Sequence, residues 1–106
     1  MRLEIKPLSV NKAWKGRRFK TDAYKSYERE VIALLRPMEV PDGELEVMLS
    51  FGFSSAASDF DNPIKPFIDC LQKRYGFDDK RIKKATVVVH RVSKGSEFIE
   101  FDLQPR

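Results

Sequence analysis

Residues 44–53, ELEVMLSFGF, form the most regular stretch of the sequence. Large apolar residues alternate there with smaller or polar ones, which is the pattern of a strand with one buried face. The apolar residues are Leu45, Val47, Leu49, Phe51 and Phe53. The preceding Pro41, Asp42 and Gly43 are typical of a turn. The stretch therefore predicts a sheet strand against which the rest of the chain packs.

An amphipathic helix is predicted on each side of this strand. Thr21 is a suitable N-cap for the first helix, and Pro37 ends it. Its apolar residues at helical spacing are Tyr24, Tyr27, Val31, Leu34 and Leu35. The second helix covers roughly residues 63–74, and Gly76 ends it. Its apolar stripe is formed by Ile64, Phe67, Ile68 and Leu71.

Three further segments have the composition of strands, namely residues 2–6, 85–92 and 98–103. Lys94-Gly95-Ser96 stands between the last two and predicts that they form a hairpin. The predicted order is β-α-β-α-β-β. This order indicates an α+β fold, a single small domain over residues 1–106 with a mixed sheet and helices packed on it.

The composition excludes several classes of protein. The chain has 106 residues, a formal net charge of +4, one cysteine and one histidine. An internal disulfide framework and a Cys/His zinc site are therefore excluded. The sequence shows no apolar run of membrane-spanning length, and the residues after Met1 lack the apolar region of a signal peptide, so we expect none. We expect a cytoplasmic protein that does not associate with membranes.

Acidic residues gather downstream of the central strand, and one lysine lies among them. They are Asp59, Asp61, Asp69, Asp78 and Asp79, with Lys65. In an extended segment Asp59 and Asp61 would point the same way, and Phe60 would point into the core. Asp61, Lys65 and Asp69 are four residues apart and would share one stripe of a helix that begins near Asp61. Clustered carboxylates favour hard cations such as Mg²⁺ or Mn²⁺.

Two interpretations of these acids remain open. In the first, the carboxylates hold divalent ions that assist the attack of water on a phosphodiester, and Lys65 neutralises charge on the phosphate. In the second, the Asp and Asn residues before the helix are ordinary caps, and Asp78-Asp79 is a solvated turn. The spacing alone does not separate them.

Basic residues are concentrated upstream of the first helix and again after Asp79. The first group contains Trp14 and Phe19 and no acid, and its cations are Lys12, Lys15, Arg17, Arg18 and Lys20. Cations neutralise phosphates and aromatic rings stack on bases, so this segment is typical of a nucleic-acid surface. The alternative is a solvated loop with Trp14 in the core. The second group is Lys80, Arg81, Lys83 and Lys84, which either hold phosphates or protect an edge strand.

The acidic motifs resemble the signature of a known family. The stretches are DFDNPIK at 59–65, DCL at 69–71 and GFDDKRI at 76–82. Together they look like the motif of RusA-type Holliday-junction resolvases. SVNKAW at 9–14 is similar to the Ser/Asn motif near the N-terminus of that family, and here too a basic loop and a helix follow. The resemblance covers nearly the whole chain in the same order.

The resemblance implies a homodimeric, Mg²⁺-dependent endonuclease that cuts four-way DNA junctions and uses no organic cofactor. The positions that match its metal-binding acids are Asp59, Asp61 and Asp79. Lys65 matches the essential lysine of the family, and Asp69 matches an acid that would orient it. Asp78 matches the less critical first member of the paired acids. Many such resolvases are encoded by phages or prophages.

The chain departs from the family at Pro63 and Pro66, where ordinary helix formers are common, and this departure affects how Lys65 would point. The residues expected to contact DNA are Asn11, Lys12, Trp14, Lys15, Arg17, Arg18, Lys20, Lys80 and Arg81.

Two other functions compete with junction cleavage. One is a non-catalytic nucleic-acid-binding module that uses the basic segment 12–20. The other is a small metal-dependent phosphohydrolase of nucleotides, although a nucleotide does not require the five cations of that segment.

Overall fold

The strand predicted over residues 44–53 is present as Leu45–Phe53 and lies inside a sheet, with a neighbouring strand on each side. The computed structural model describes residues 1–8, 14–15, 19–55 and 60–106. Its elements in chain order are β1 (Arg2–Leu3), β2 (Trp14–Lys15), β3 (Phe19–Lys20), α1 (Asp22–Leu34), β4 (Leu45–Phe53), α2 (Ile64–Tyr75), a 3-10 turn (Asp79–Arg81), β5 (Ile82–Arg91) and β6 (Phe98–Pro105).

The main sheet has the strand order β1-β6-β4-β5. β4 is parallel to β5 and antiparallel to β6, and β1 is antiparallel to β6. β2 and β3 form a separate two-stranded ribbon before α1. The small α+β domain with a mixed sheet is thus confirmed, and the ribbon is an addition to the predicted order. No helix in the described part of the chain is long and apolar enough to cross a membrane.

The core lies between the sheet and the two helices. The buried residues of β4 meet those of both helices, and the largest fully buried side chains include Tyr24, Phe51 and Phe67. The Thr21 side chain caps α1, as predicted, by accepting a hydrogen bond from the Tyr24 amide at 3.1 Å. Leu34 was expected in the core but is 45% exposed. The helix ends at Leu34, and the extended backbone of Leu35 carries that next side chain into the core instead.

The predicted hairpin between the last two strands is wrong. A turn is present, because the Ser96 amide donates to the Ser93 carbonyl at 2.9 Å. However, β5 and β6 lie on opposite sides of β4 and do not pair with each other. β4 thereby gains two partners, which suits a strand whose inward face is apolar throughout.

α2 begins at Ile64, with Pro63 as its N-cap and Pro66 in the first turn. Both prolines are therefore compatible with the helix, since the first turn needs no amide donors. Asp61 lies in the turn before the helix, where its carbonyl accepts from the Ile64 amide at 3.2 Å. The helical stripe predicted to begin near Asp61 is thus shorter and starts at Lys65.

Candidate functional site

A groove of about 330 Å³ opens between α2 and the sheet beside β5. Its floor is apolar, and three charged side chains line it. The lining residues are Val47, Leu49, Ile64, Lys65, Ile68, Asp69, Asp79, Ile82 and Ala85. The chain leaves α2, makes the short 3-10 turn and enters β5 next to β4. This path brings Asp79 into the same groove as Lys65 and Asp69.

The Asp69 carboxylate is held from three directions. Tyr24 Oη donates a hydrogen bond to Asp69 Oδ2 at 3.0 Å, and Gln72 Nε2 donates to Oδ1 at 3.4 Å. Lys65 Nζ lies 3.6 Å from Oδ1, one helical turn away. The i, i+4 stripe predicted for Lys65 and Asp69 is thus present, and Asp69 is placed to orient the lysine.

Gln72 connects the two acids of the groove. While its amide nitrogen donates to Asp69, its Oε1 accepts a hydrogen bond from the Asp79 backbone amide at 2.9 Å. Sequence reasoning assigned Tyr24 only to the core and did not consider Gln72. The spacing of Gln72 three residues after Asp69 on one helix was the available signal.

Burial raises the pKa of Tyr24 far above its ordinary value, and the negative charge of Asp69 raises it further. Tyr24 therefore remains a neutral hydrogen-bond donor to Asp69 at physiological pH. Lys20 Nζ lies 4.7 Å from the centre of the Tyr24 ring, which suits a cation–π contact. The same Lys20 also donates to Glu28 at 2.8 Å, so this basic residue is already engaged within the fold.

The three acids that would hold a metal ion are only partly described. Asp59 lies outside the described residues. Asp61 is exposed on the turn before α2, and no residue in the described ranges donates a hydrogen bond to the carboxylate of Asp61 or of Asp79. Between residues 60 and 106, and in the other described ranges, no three acidic, histidine or cysteine side chains are grouped to hold a metal. The proposed set of three metal-binding carboxylates is therefore complete only with Asp59.

Phe60 is 57% exposed, so the expectation that it points into the core is wrong. The expectation assumed extended backbone, in which alternate side chains face opposite ways. Phe60 to Pro63 instead form a turn in which Asn62, with 8% exposure, and Pro63 are buried.

The residues around Asp79 have structural contacts of their own. Asp78 caps the 3-10 turn, because its Oδ1 accepts from the Lys80 amide at 2.9 Å. The Arg81 guanidinium donates to the carbonyls of Gly43 at 2.9 Å and of Pro41. Lys80 is exposed. Lys80 and Arg81 are the two cations predicted here to contact DNA. Of these, Arg81 is the one whose side chain is engaged by contacts within the fold.

The basic segment before α1 is described only in part. Asn11, Lys12, Arg17 and Arg18 lie outside the described residues. The backbone of Trp14 and Lys15 forms β2, which pairs with β3 in antiparallel register, Trp14 opposite Lys20. The segment thus contains a two-stranded ribbon directly before α1.

The chain matches no protein-family model. It also matches no curated protein at a significant level. The likeness to RusA-type resolvases therefore rests on the sequence motifs quoted above.

Proposed function

We propose that this chain is a divalent-metal-dependent endodeoxyribonuclease that acts on branched DNA as a homodimer. The observation that carries the proposal is the groove in which Lys65, Asp69 and Asp79 meet. Asp79 reaches this groove from beyond the end of α2, although nothing in the local sequence pattern requires it. A cytoplasmic location belongs to the same proposal.

The donor atoms are of the type that a hard divalent cation prefers, and of the proposed acids in the described ranges Asp79 lines the groove while Asp61 does not. The carboxylates of Asp61 and Asp79 are exposed and accept no hydrogen bond from any described residue, so their oxygens are available as ligands. Asp59, Asp61 and Asp79 would hold Mg²⁺ or Mn²⁺, which prefer carboxylate oxygens. When bound, the ion supplies an activated water for in-line attack on the phosphodiester.

The side chains of the groove would support that reaction by charge. Lys65 is held by Asp69 at 3.6 Å but keeps 65% of its side chain exposed, so its ammonium remains able to contact a phosphate oxygen. It would stabilise the negative charge that develops on the phosphate. Asp69 is fixed in turn by Tyr24 and Gln72.

The decisive test replaces Asp79 by Asn and measures cleavage of a synthetic four-way junction in Mg²⁺ or Mn²⁺. We expect cleavage to fall by at least about a hundredfold, while junction binding without a divalent ion persists or tightens. Asp42→Asn is the matched control, since Asp42 is exposed and does not line the groove. Unchanged cleavage by Asp79→Asn would exclude a metal role for this residue.

One observation favours a second candidate, a nucleic-acid-binding module without catalysis. Asp78 caps the 3-10 turn through its contact with the Lys80 amide, which is the ordinary structural use of such an acid. If the wild-type protein binds junctions but cleaves no four-way, three-way or linear duplex in either metal ion, this module is the better description.

A further inference from the structure

Three polar side chains of α2 lie along one stripe of the helix. Lys65, Asp69 and Gln72 follow one another at intervals of four and three residues, the spacing that places side chains next to one another on a helix surface. Lys65 and Asp69 line the groove, and Gln72 contacts both Asp69 and the backbone of Asp79. Gln72 is therefore the member of the stripe that joins the helix to the turn carrying Asp79.

The 3-10 turn that carries Asp79 satisfies two of its backbone amides by itself, and Gln72 satisfies the third. The Lys80 amide donates to the Asp78 side chain at 2.9 Å, and the Arg81 amide donates to the Asp78 carbonyl at 3.0 Å. Asp79 is the first residue of the turn, where an amide has no partner within the turn. Its partner is Gln72 Oε1 at 2.9 Å. The contact that holds the Asp79 amide thus comes from α2.

The loop between α2 and this turn is short, and the backbone of Gln72 holds it at a second point. The Gly76 amide donates to the Gln72 carbonyl at 2.8 Å, and Gly76 has the left-handed backbone, with φ 71°, that commonly ends a helix. Phe77 follows and is buried in the core. A substitution that changes only the side chain of Gln72 therefore leaves the end of the helix and the start of the loop in place.

The bridge through Gln72 needs a donor and an acceptor in one side chain. The Asp79 backbone amide can only donate a hydrogen bond, and the carboxylate of Asp69 can only accept one. The Gln72 side chain offers an acceptor to the first at 2.9 Å and a donor to the second at 3.4 Å. Glutamate at this position would lack the donor. Methionine, of similar length, would lack the donor and offer only a weak acceptor.

The carboxylates of Asp69 and Asp79 differ in what engages them. Both oxygens of the first have partners, which are Tyr24 at Oδ2 and, at Oδ1, Gln72 and Lys65. The second accepts no hydrogen bond from any described residue, although its own backbone amide is held. This combination suits a metal ligand, because a held main chain orients the carboxylate while its oxygens stay available as donors.

We infer that Gln72 is a positioning residue. It fixes the backbone of Asp79 relative to Asp69 and Lys65, and so sets where the Asp79 carboxylate lies in the groove. The inference rests on the proposed nuclease, because that function requires Asp79 to hold a metal ion near a phosphate that Lys65 contacts. Partners that orient a ligand without touching the metal change metal affinity by about ten- to a hundredfold.

Hydrogen exchange of the Asp79 amide, followed by NMR in the absence of metal, tests the contact itself. In Gln72→Met the exchange should be about five- to tenfold faster than in the wild type, the factor expected for the loss of one hydrogen bond. Gln72→Glu keeps a strong acceptor for the amide and should restore most of the protection. Equal exchange in the wild type and Gln72→Met would overturn the inference.

Manganese binding by the same proteins, measured by calorimetry, tests the consequence. We expect Gln72→Met to bind manganese about tenfold more weakly than the wild type. The manganese concentration for half-maximal junction cleavage should rise by a similar factor, whereas the rate at saturating manganese should change less. A purely structural role of Gln72 would lower thermal stability without moving that concentration.

Gln104→Met is the matched control for these measurements. Gln104 also donates a hydrogen bond to an aspartate, Asp102, but it lies exposed on β6 and does not line the groove. This variant should exchange the Asp79 amide and bind manganese like the wild type. Circular dichroism and thermal unfolding verify that each variant is folded.

The outcomes separate this inference from the proposed nuclease. If the wild type binds manganese, Asp79→Asn does not, and Gln72→Met binds as tightly as the wild type, the inference fails and the metal site stands. If the wild type neither binds manganese nor cleaves a junction, the proposed function fails and the inference fails with it.

Discussion

Two carboxylates, Glu28 and Asp69, connect α1 to α2 through side-chain contacts. Glu28 on α1 accepts from Lys73 of α2 at 2.6 Å, and Asp69 on α2 accepts from Tyr24 of α1 at 3.0 Å. Lys20 joins the first of these contacts from β3. Hydrogen bonds to charged groups are stronger than neutral ones, so these contacts help to fix how the two helices lie against each other. The groove depends on this arrangement because Asp69 lines it.

Glu28 should make the stability of the fold depend on acidity. Burial alone would raise the pKa of Glu28, but the hydrogen bonds from Lys20 and Lys73 outweigh burial and lower it from 4.5. A lowered folded-state pKa stabilises the fold above the unfolded value, and this contribution is lost as the pH falls through the folded value. Glu28→Gln should therefore lose most stability near neutral pH, and its deficit should shrink below pH 4.5.

Urea unfolding at neutral pH and at several values below 4.5 measures this dependence. Lys20→Met with Lys73→Met removes the two donors without removing the acid. That double variant should flatten the same part of the profile. A deficit of Glu28→Gln that stayed constant with pH would contradict the assignment.

The packing of β6 against β4 depends on a glycine of β4, Gly52. Phe98 of β6 lies over Gly52, to which it is paired in the sheet, and only 7% of Phe98 is exposed. The Arg2 guanidinium carbon lies 3.9 Å from the centre of the Phe98 ring, so the ring is covered from above. A Cβ at position 52 would lie 2.4 Å from Phe98 Cδ1. The absence of a side chain at Gly52 makes room for the ring.

Gly52→Ala should therefore destabilise the protein by about 1–3 kcal/mol, because the ring must leave its place. Chemical denaturation of the two proteins measures the difference. In a Phe98→Ala background the same substitution should cost far less. An equal cost in both backgrounds would show that the ring is not the cause.

The helices and strands themselves were largely predictable from the sequence, whereas the pairing of the strands with one another was not. The alternation in residues 44–53 and the helical spacing from Tyr24 to Val31 depend only on local geometry, and both predictions hold. Pairing between strands is a long-range property. The turn at Ser93–Ser96 is local and was correctly expected. However, nothing in the residues near that turn indicates that β4 lies between β5 and β6.

In the candidate site, too, a contact between residues close in sequence was predictable, whereas contacts that depend on the fold of the whole molecule were not. The contact of Lys65 with Asp69 followed from their spacing on one helix. The arrival of Asp79 beside them depends on the crossover from α2 to β5, and only the family resemblance suggested it. The Tyr24 contact crosses from one helix to the other over 45 residues of sequence, so no local pattern could indicate it.

The DNA binding that we propose for this molecule should depend steeply on salt. Each phosphate that a cation neutralises releases counterions, which adds about 0.9 to the slope of log K against log salt concentration. Neutralising Lys15, Arg17 and Arg18 should therefore flatten that slope by up to roughly three units. Fluorescence anisotropy with a labelled junction at several salt concentrations measures it.

The matched control neutralises three exposed cations outside the basic segment, Lys25, Arg29 and Lys94. This triple variant has the same net charge as the first but should keep the wild-type slope. Equal slopes for both triple variants would remove the basic segment from the DNA interface.

The place of β4 in the sheet also has a consequence for synthesis on the ribosome. Both of its partners, β5 and β6, come later in the chain, so residues 45–53 emerge well before either strand that will flank them. Until residues 82–105 follow, a nascent chain carries a nine-residue segment with one apolar face and no strand to pair with on either side. Such a segment is prone to aggregate, and a chaperone that shields extended apolar chains would matter most during that interval.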